Sequence, residues 1–260
     1  MTQVLKLWPL LTATHSYDKS ISTRNCGQGQ IIKAPILAYL IETTNGRILY
    51  DVGCDYSKIQ DRTRRDFYYS PKTFAFGAPD MCEEQRIPNH LARMGLTSTD
   101  IDVVFAGHLH FDHAGGLNEV PGSEIHVQQK ELEAALSGND PAYFRDDFSG
   151  DYNWKVMNGE YELAPGVRAI SSPGHTAGHM SLWIELPKGA PIILCGDAAD
   201  LQENLHDEVA PGICWQNNED LALASIRKLK SIAAREKAKL WPNHDFDFWL
   251  TLRRFPEFHA

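Results

Sequence analysis

Between residues 107 and 116 the chain reads Gly107-His108-Leu109-His110-Phe111-Asp112-His113-Ala114-Gly115-Gly116, which puts four metal-capable side chains into six consecutive positions. On extended backbone, residues i and i+2 point the same way, so His108 and His110 can reach one cation. Asp112 and His113 are adjacent, point elsewhere, and could serve a second. Four such groups are costly to bury without partners, and a metal removes that cost. Later segments offer more ligands. His175 and His179 follow a Pro173-Gly174 turn, Asp197 ends an apolar strand, and His244 follows Trp241-Pro242-Asn243. Without His179, the set holds five histidines and two aspartates.

These residues need elements to hold them. Ile101 to Ala106 is an apolar run that reads as a buried strand delivering the central motif. Gly115 and Gly116 then suggest a tight turn. Residues 34–42 and 47–50 read as two strands joined at Asn45-Gly46, a hairpin signal. The second strand runs into Asp51, which could orient a ligand histidine or cap a turn. Further strands are expected at 123–127, 167–170, 181–186 and 191–195. Glu83 to Leu96 reads as a helix interrupted at Pro88, and 129–136 as a short helix. Asn218 to Ala234 is the strongest helix, with Asn218 as cap and Ala222, Ile226, Leu229 and Ala233 as one apolar stripe. Residues 61–80 are polar and then aromatic, with Phe67, Tyr68 and Tyr69, and suit a pocket wall, a lid or a subunit contact. Residues 138–159 read as an excursion over the surface. Strands ending in Asp51 and in Asp197 suggest two sheets covered by helices, with the site where strands of both halves end. No low-complexity linker divides residues 1–260, so a single domain is expected.

Composition narrows the field. The chain has 260 residues, 43% hydrophobic and 23% charged, with a formal net charge of −9. The charge argues against a nucleic-acid partner, which needs a basic surface. No apolar run approaches the ~20 residues of a membrane span, so no membrane partner is expected. The first residues lack a cationic n-region and a cleavage site, so a signal peptide is not expected. Five scattered cysteines without a Cys-x-x-Cys pair suggest a reduced, cytoplasmic protein.

In combination, His108-Leu-His-Phe-Asp-His-Ala-Gly-Gly116, Pro173-Gly-His-Thr-Ala-Gly-His179, Ser181-Leu-Trp-Ile-Glu185, Glu203-Asn-Leu-His-Asp-Glu-Val209 and Phe255-Pro-Glu257 resemble the metallo-β-lactamase superfamily over nearly the whole chain. Within that superfamily the chain is most like the N-acyl homoserine lactonases. The resemblance implies an α/β fold, the αββα sandwich, with two divalent metals. His108, His110 and His175 would hold one, Asp112, His113 and His244 the other, and Asp197 would bridge them. His179 would support the ligands or the fold. Zinc is the first expectation, and manganese, cobalt or iron suit the same donors. A hydroxide shared by the metals would attack a lactone carbonyl. Asp112 could then pass a proton to the departing alkoxide, and the expected partner is a small lactone or ester. Homodimerisation is plausible by family likeness alone.

One residue departs from the pattern. Homoserine lactonases carry a tyrosine three positions after the bridging Asp, where it helps to bind the carbonyl oxygen. Here that position is Asp200, and an ionised carboxylate donates no hydrogen bond. Tyr68, Tyr69, His206 and Trp215 are candidate replacements. Phe67, Tyr68, Tyr69, Asp200 and Trp215 are therefore the expected substrate contacts. The alternatives are a hydrolase of another lactone such as 4-pyridoxolactone, a glyoxalase II-like thioesterase, and, outside enzymes, an inactive metal-binding module.

Overall fold

The structure, a computed structural model, describes residues 3–138 and 140–260. Two sheets form. The first holds six strands in chain order, β1 (Val4–Asp18), β2 (Ile31–Thr43), β3 (Gly46–Tyr50), β4 (Val103–Phe105), β5 (Glu124–Gln128) and β6 (Asn153–Met157). β1, β2 and β3 pair antiparallel; β3 to β6 pair parallel. The second sheet holds β7 (Tyr161–Ala164), β8 (Val167–Ser171), β9 (Met180–Ile184), β10 (Ile192–Leu194) and β11 (Lys239–Trp241). Its order is β11-β10-β9-β8-β7, parallel only between β10 and β11.

Alternation along the strands builds the layers. Leu37, Tyr39 and Ile41 of β2 pack between the sheets with Leu182, Ile184 and Leu194. Ala38 and Leu40 pack on the opposite face, with Ile87 and Leu91 of the helix Ile87–Arg93. Burial of β2 on both faces is why residues 34–41 form an unbroken apolar run. Across the molecule, Ile226 and Leu229 of the helix Glu219–Glu236 cover Ile170 and Ile193. Each such aliphatic side chain contributes ~1.5–3 kcal/mol by leaving water. That helix begins where Asn218 accepts a bond from the Leu221 N–H, at 3.0 Å, a cap that stabilises by ~1 kcal/mol. The result is the αββα sandwich that the resemblance implies. No helix among the described residues is long and apolar enough to cross a membrane.

Several local expectations change. No strand is expected before residue 34, yet β1 is the longest strand described, because its thirteen-residue pairing with β2 compensates for an irregular apolar pattern. Pro88 does not interrupt a helix; it sits in the first turn of Ile87–Arg93, where its missing N–H has no partner to lose. Residues 138–159 are not simply surface, since they bury Tyr143, Phe144 and Phe148 and supply the edge strand β6. Within 61–80, Asp61 caps a helix, Arg62–Tyr68, that the mixed polar and aromatic pattern conceals. Gly115 and Gly116 are required for close approach and not for a left-handed turn. A Cβ on Gly115 would lie 2.4 Å from the Asp55 amide nitrogen, and one on Gly116 would lie 2.4 Å from the Val52 carbonyl oxygen.

Candidate metal centre

The ligand-capable residues gather at strand ends between the two sheets. Asp51 follows β3, and the segment 106–110 follows β4. His175 lies in the β8–β9 connection, Asp197 follows β10, and His244 follows β11. The sheets are joined at this edge, where the Met180 N–H donates to the Gly107 carbonyl at 2.9 Å and the Tyr50 hydroxyl donates to the Met180 carbonyl at 3.1 Å.

Asp197 is the hub. Its Oδ2 lies 3.7 Å from His108 Nε2 and 3.4 Å from His175 Nε2. Its Oδ1 lies 3.3 Å from His113 Nε2 and 3.2 Å from His244 Nε2. The two oxygens therefore face two separate imidazole pairs. Burial works to raise the Asp197 carboxyl, but His113, His244 and His108 outweigh it and hold the group well below the usual range. The Asn243 side-chain N–H donates to Oδ1 at 3.0 Å, and the Asp197 backbone N–H donates to His179 Nε2 at 2.9 Å. His179 thus touches the hub through the backbone, and its Nδ1 is held by Ser172.

The orientation of each imidazole follows from its other nitrogen. His113 Nδ1 meets Asp51 Oδ2 at 2.8 Å, and Asp51 Oδ1 accepts from the Gly107 N–H at 2.8 Å. His244 Nδ1 donates to the Pro35 carbonyl at 2.8 Å. Both residues therefore turn Nε2 inward. His110 Nε2 approaches Asp140 Oδ2 at 3.4 Å, which leaves Nδ1 facing His175 Nε2 at 3.0 Å. Asp112 Oδ2 lies 3.6 Å from His113 Nε2 and 3.9 Å from His244 Nε2.

Divalent ions fit this donor set. The Nε2 atoms of His108 and His113, both turned toward Asp197, are buried without a hydrogen-bond partner among the described residues, and such orphans are rare unless something else binds them. Ligand atoms within 4.8 Å of one another form the groups His108/His110/His175, His108/His113/Asp197, Asp112/His113/His244 and Asp197/Asp200/His244. Burial pushes His175 down to about 4. Burial would also lower His244, but the Asp197 carboxylate carries it up to about 10. Neutral and charged imidazoles packed this closely are what a set of metal ligands becomes when side chains alone must share the charge.

A cavity of about 270 Å³ opens over the cluster. Its wall includes His15, Tyr17, Phe74, Phe76 and Ile213, with Asp112, Asp197, Asp200 and His244 below. Of the expected substrate contacts, only Asp200 is here. Phe67 and Tyr68 line a neighbouring cleft and Trp215 lines another. Tyr69 is buried among Phe74, Phe111 and Phe144. His206 is not among the cavity's lining residues. Burial, with the Asp197 charge adding to it, pushes Asp200 up to about 8.

Three supporting residues escape a reading of the sequence. Asn243 gives no signal beyond standing next to His244, and Asp140, far along the chain from every ligand, gives none. Glu131 gives one, because it shares the apolar stripe of the helix Gln129–Ser137 with Ala134 and Ala135. It is fully buried. Its Oε1 accepts from the Leu109 N–H at 3.0 Å and the Tyr143 hydroxyl at 2.9 Å. Its Oε2 accepts from the Thr176 hydroxyl at 2.7 Å and the Gly178 N–H at 3.0 Å. One carboxylate thereby ties the His108–His110 loop to the His175 loop.

Comparison with known proteins agrees with this geometry. Residues 33–244 match the family model of the metallo-beta-lactamase superfamily. An N-acyl homoserine lactonase of Bacillus thuringiensis is 36% identical over 257 residues, covering 98% of this chain and 99% of that protein. The N-acyl homoserine lactonase AttM of Rhizobium radiobacter is 27% identical over 266 residues, with 98% and 99% covered. Among solved structures, an N-acyl homoserine lactone hydrolase with N-hexanoyl-L-homoserine bound at its catalytic metal centre superposes with a TM-score of 0.88 at 35% identity, covering 99% of this chain and 100% of that one.

Proposed function

This chain belongs to the metallo-β-lactamase superfamily, and on that premise we propose that it is a metal-dependent hydrolase that opens the ring of N-acyl homoserine lactones. The observation that carries the reading is the division of Asp197, one oxygen toward His108 and His175 and the other toward His113 and His244, in a chain alike over its full length to homoserine lactonases. Residues 1–260 act as one domain, since both sheets share a core. His108, His110 and His175 would hold one divalent ion and Asp112, His113 and His244 a second, with Asp197 between them. Zinc suits the imidazole-rich side. Bound there, such ions polarise an ester carbonyl and make water nucleophilic near neutral pH.

The chain's own residues do the rest. Hydrolysis adds water across the ring ester; the acyl carbon–oxygen bond breaks and the ring oxygen leaves as an alkoxide that needs a proton. Asp112 is the more exposed carboxylate of the ligand set, with 17% of its side chain accessible, and we assign it the transfer to that alkoxide of the proton given up by the attacking water. Phe74, Phe76 and Ile213 give the acyl chain an apolar wall. Asp51 and Glu131 hold the ligand loops still through the bonds described above, so little reorganisation accompanies the reaction. Free thiols at all five cysteines support a cytoplasmic setting. The carboxyl of Asp200 on the cavity floor favours one second reading, a cyclic ester other than homoserine lactone.

Proton release on adding homoserine lactones of short and long acyl chain to metal-analysed protein tests this, with a thioester and 4-pyridoxolactone alongside. Rapid opening of the homoserine lactones is the expected result. Metal-loaded protein that leaves them intact while turning over another ester would overturn the substrate assignment.

A further inference from the structure

We propose that Asp200 supplies an additional carboxylate oxygen to the metal position of His244, which makes that side of the centre richer in oxygen donors than the family pattern implies. The inference rests on reading the cluster as a metal centre. Three observations carry it. First, an Asp200 carboxylate oxygen, an Asp197 oxygen and a His244 ring nitrogen lie within 4.8 Å of one another. Second, Asp200 is 4% exposed, lines the cavity, and its Oδ1 is buried without a hydrogen-bond partner among the described residues. That atom shares its condition with the Nε2 atoms of His108 and His113 that face Asp197, and a cation is the common remedy. Third, the backbone fixes the pair. The His244 N–H donates to the Asp200 carbonyl at 2.8 Å, and the Asn243 N–H donates to the Ala199 carbonyl at 3.1 Å. The segments leaving the parallel strands β10 and β11 are thus locked in register, so Asp200 and His244 cannot drift apart.

The chemistry of the donors then separates the two positions. His108, His110 and His175 offer three imidazoles, which suit zinc. His244 and His113 are accompanied by Asp112, Asp197 and Asp200, and carboxylates favour harder ions such as manganese. Asp200 therefore tunes which divalent ion the second position accepts, where a tyrosine would leave that choice to the remaining ligands.

The experiment uses the full chain, stripped of metal and titrated with Mn2+ and with Zn2+, as wild type, Asp200→Asn and Asp200→Glu. Free Mn2+ is followed by electron paramagnetic resonance and bound metal by mass spectrometry; the melting temperature is recorded with and without metal. Asp200→Asn is expected to weaken Mn2+ binding by ~10-fold or more, to leave Zn2+ at the three-histidine position unchanged, and to melt no lower than wild type when metal-free, because a neutral amide fills the place of a buried carboxyl whose Oδ1 has no hydrogen-bond partner among the described residues. Asp200→Glu should regain part of the Mn2+ affinity. Unchanged Mn2+ binding in Asp200→Asn overturns the proposal and leaves the metal centre standing. A lower metal-free melting temperature with an undiminished rise on adding Mn2+ also overturns it, since Asp200 would then be a structural hydrogen-bond partner. Wild-type protein that binds neither ion overturns both readings.

Discussion

The two oxygens of Asp197 look out on unlike halves of one centre. On the Oδ2 side stand His108, His110 and His175, held from behind by the Glu131 carboxylate. On the Oδ1 side stand His113 and His244, with Asp112 and Asp200 nearby, held from behind by Asp51 and the Pro35 carbonyl. The first half is built by stapling two loops to a helix. The second is built by anchoring imidazoles, one at a time, to strand ends. The difference teaches that one bridging group can join sites of different chemistry and different mechanical support. Only the bridge belongs to both, so its loss should cost the most. Asp197→Asn replaces an oxygen of the shared ligand with an amide and leaves four inward imidazoles facing a weaker donor. Turnover is expected to fall by more than the ~10²-fold that even an outer-shell change can cost, with bound metal lost on both sides. Mass-spectrometric metal counting beside a ring-opening assay reads this, and full activity with undiminished metal would remove Asp197 from its role.

The next two substitutions set the halves against each other. Glu131→Ala removes the acceptor of four hydrogen bonds, two of them from the backbone N–H groups of Leu109, beside His110, and Gly178, in the His175 loop. Each buried donor left unpaired costs ~1–3 kcal/mol, so a loss of at least about 3 kcal/mol is expected in urea unfolding, with the three-histidine side losing metal first. Asp51→Asn acts on the other half and more gently. An Asn can keep the Gly107 N–H bond through its oxygen, but its amide N–H would then face His113 Nδ1. The ring must present a lone pair there and carry its proton on Nε2, the nitrogen that faces Asp197. Metal affinity on the carboxylate side is expected to fall by ~10–100-fold while the three-histidine side holds. Equal losses from both halves in either variant would show that the halves are not independent.

Legibility in the sequence follows the same division. Adjacent ligands were readable, because His108, His110, Asp112 and His113 announce themselves by spacing, and Asp51 and Asp197 by ending apolar strands. The long helix was readable from Asn218 and its stripe. What the sequence concealed is what depends on pairing across the chain. β1 is defined by its partner β2 more than by its own pattern. Glu131 shows in the sequence only that it shares a stripe with Ala134 and Ala135; its partners, at 109, 143, 176 and 178, appear only when the fold brings them around it. The aromatic residues 67–69 suggested a pocket wall, but the cavity takes Phe74 and Phe76 from the same stretch. Tyr69 instead fills an aromatic cluster under that wall, because nothing in the local spacing says which ring turns inward.

That wall offers the smallest and most selective test of the contrast between the two halves and the cavity above them. Phe76 lines the cavity yet stays 39% exposed, so its contribution is contact with an acyl chain and not support of the ligands. Phe76→Ala removes part of an apolar surface worth ~25 cal/mol per Å², about 1 kcal/mol for a half-covered ring. KM for long-chain homoserine lactones is expected to rise ~5-fold, while kcat, metal content and KM for the shortest acyl chains stay as in wild type. A fall in kcat shared by short and long substrates would mean that the wall also positions the reacting ester, and the separation between a rigid metal centre and an apolar chain-binding wall would have to be given up.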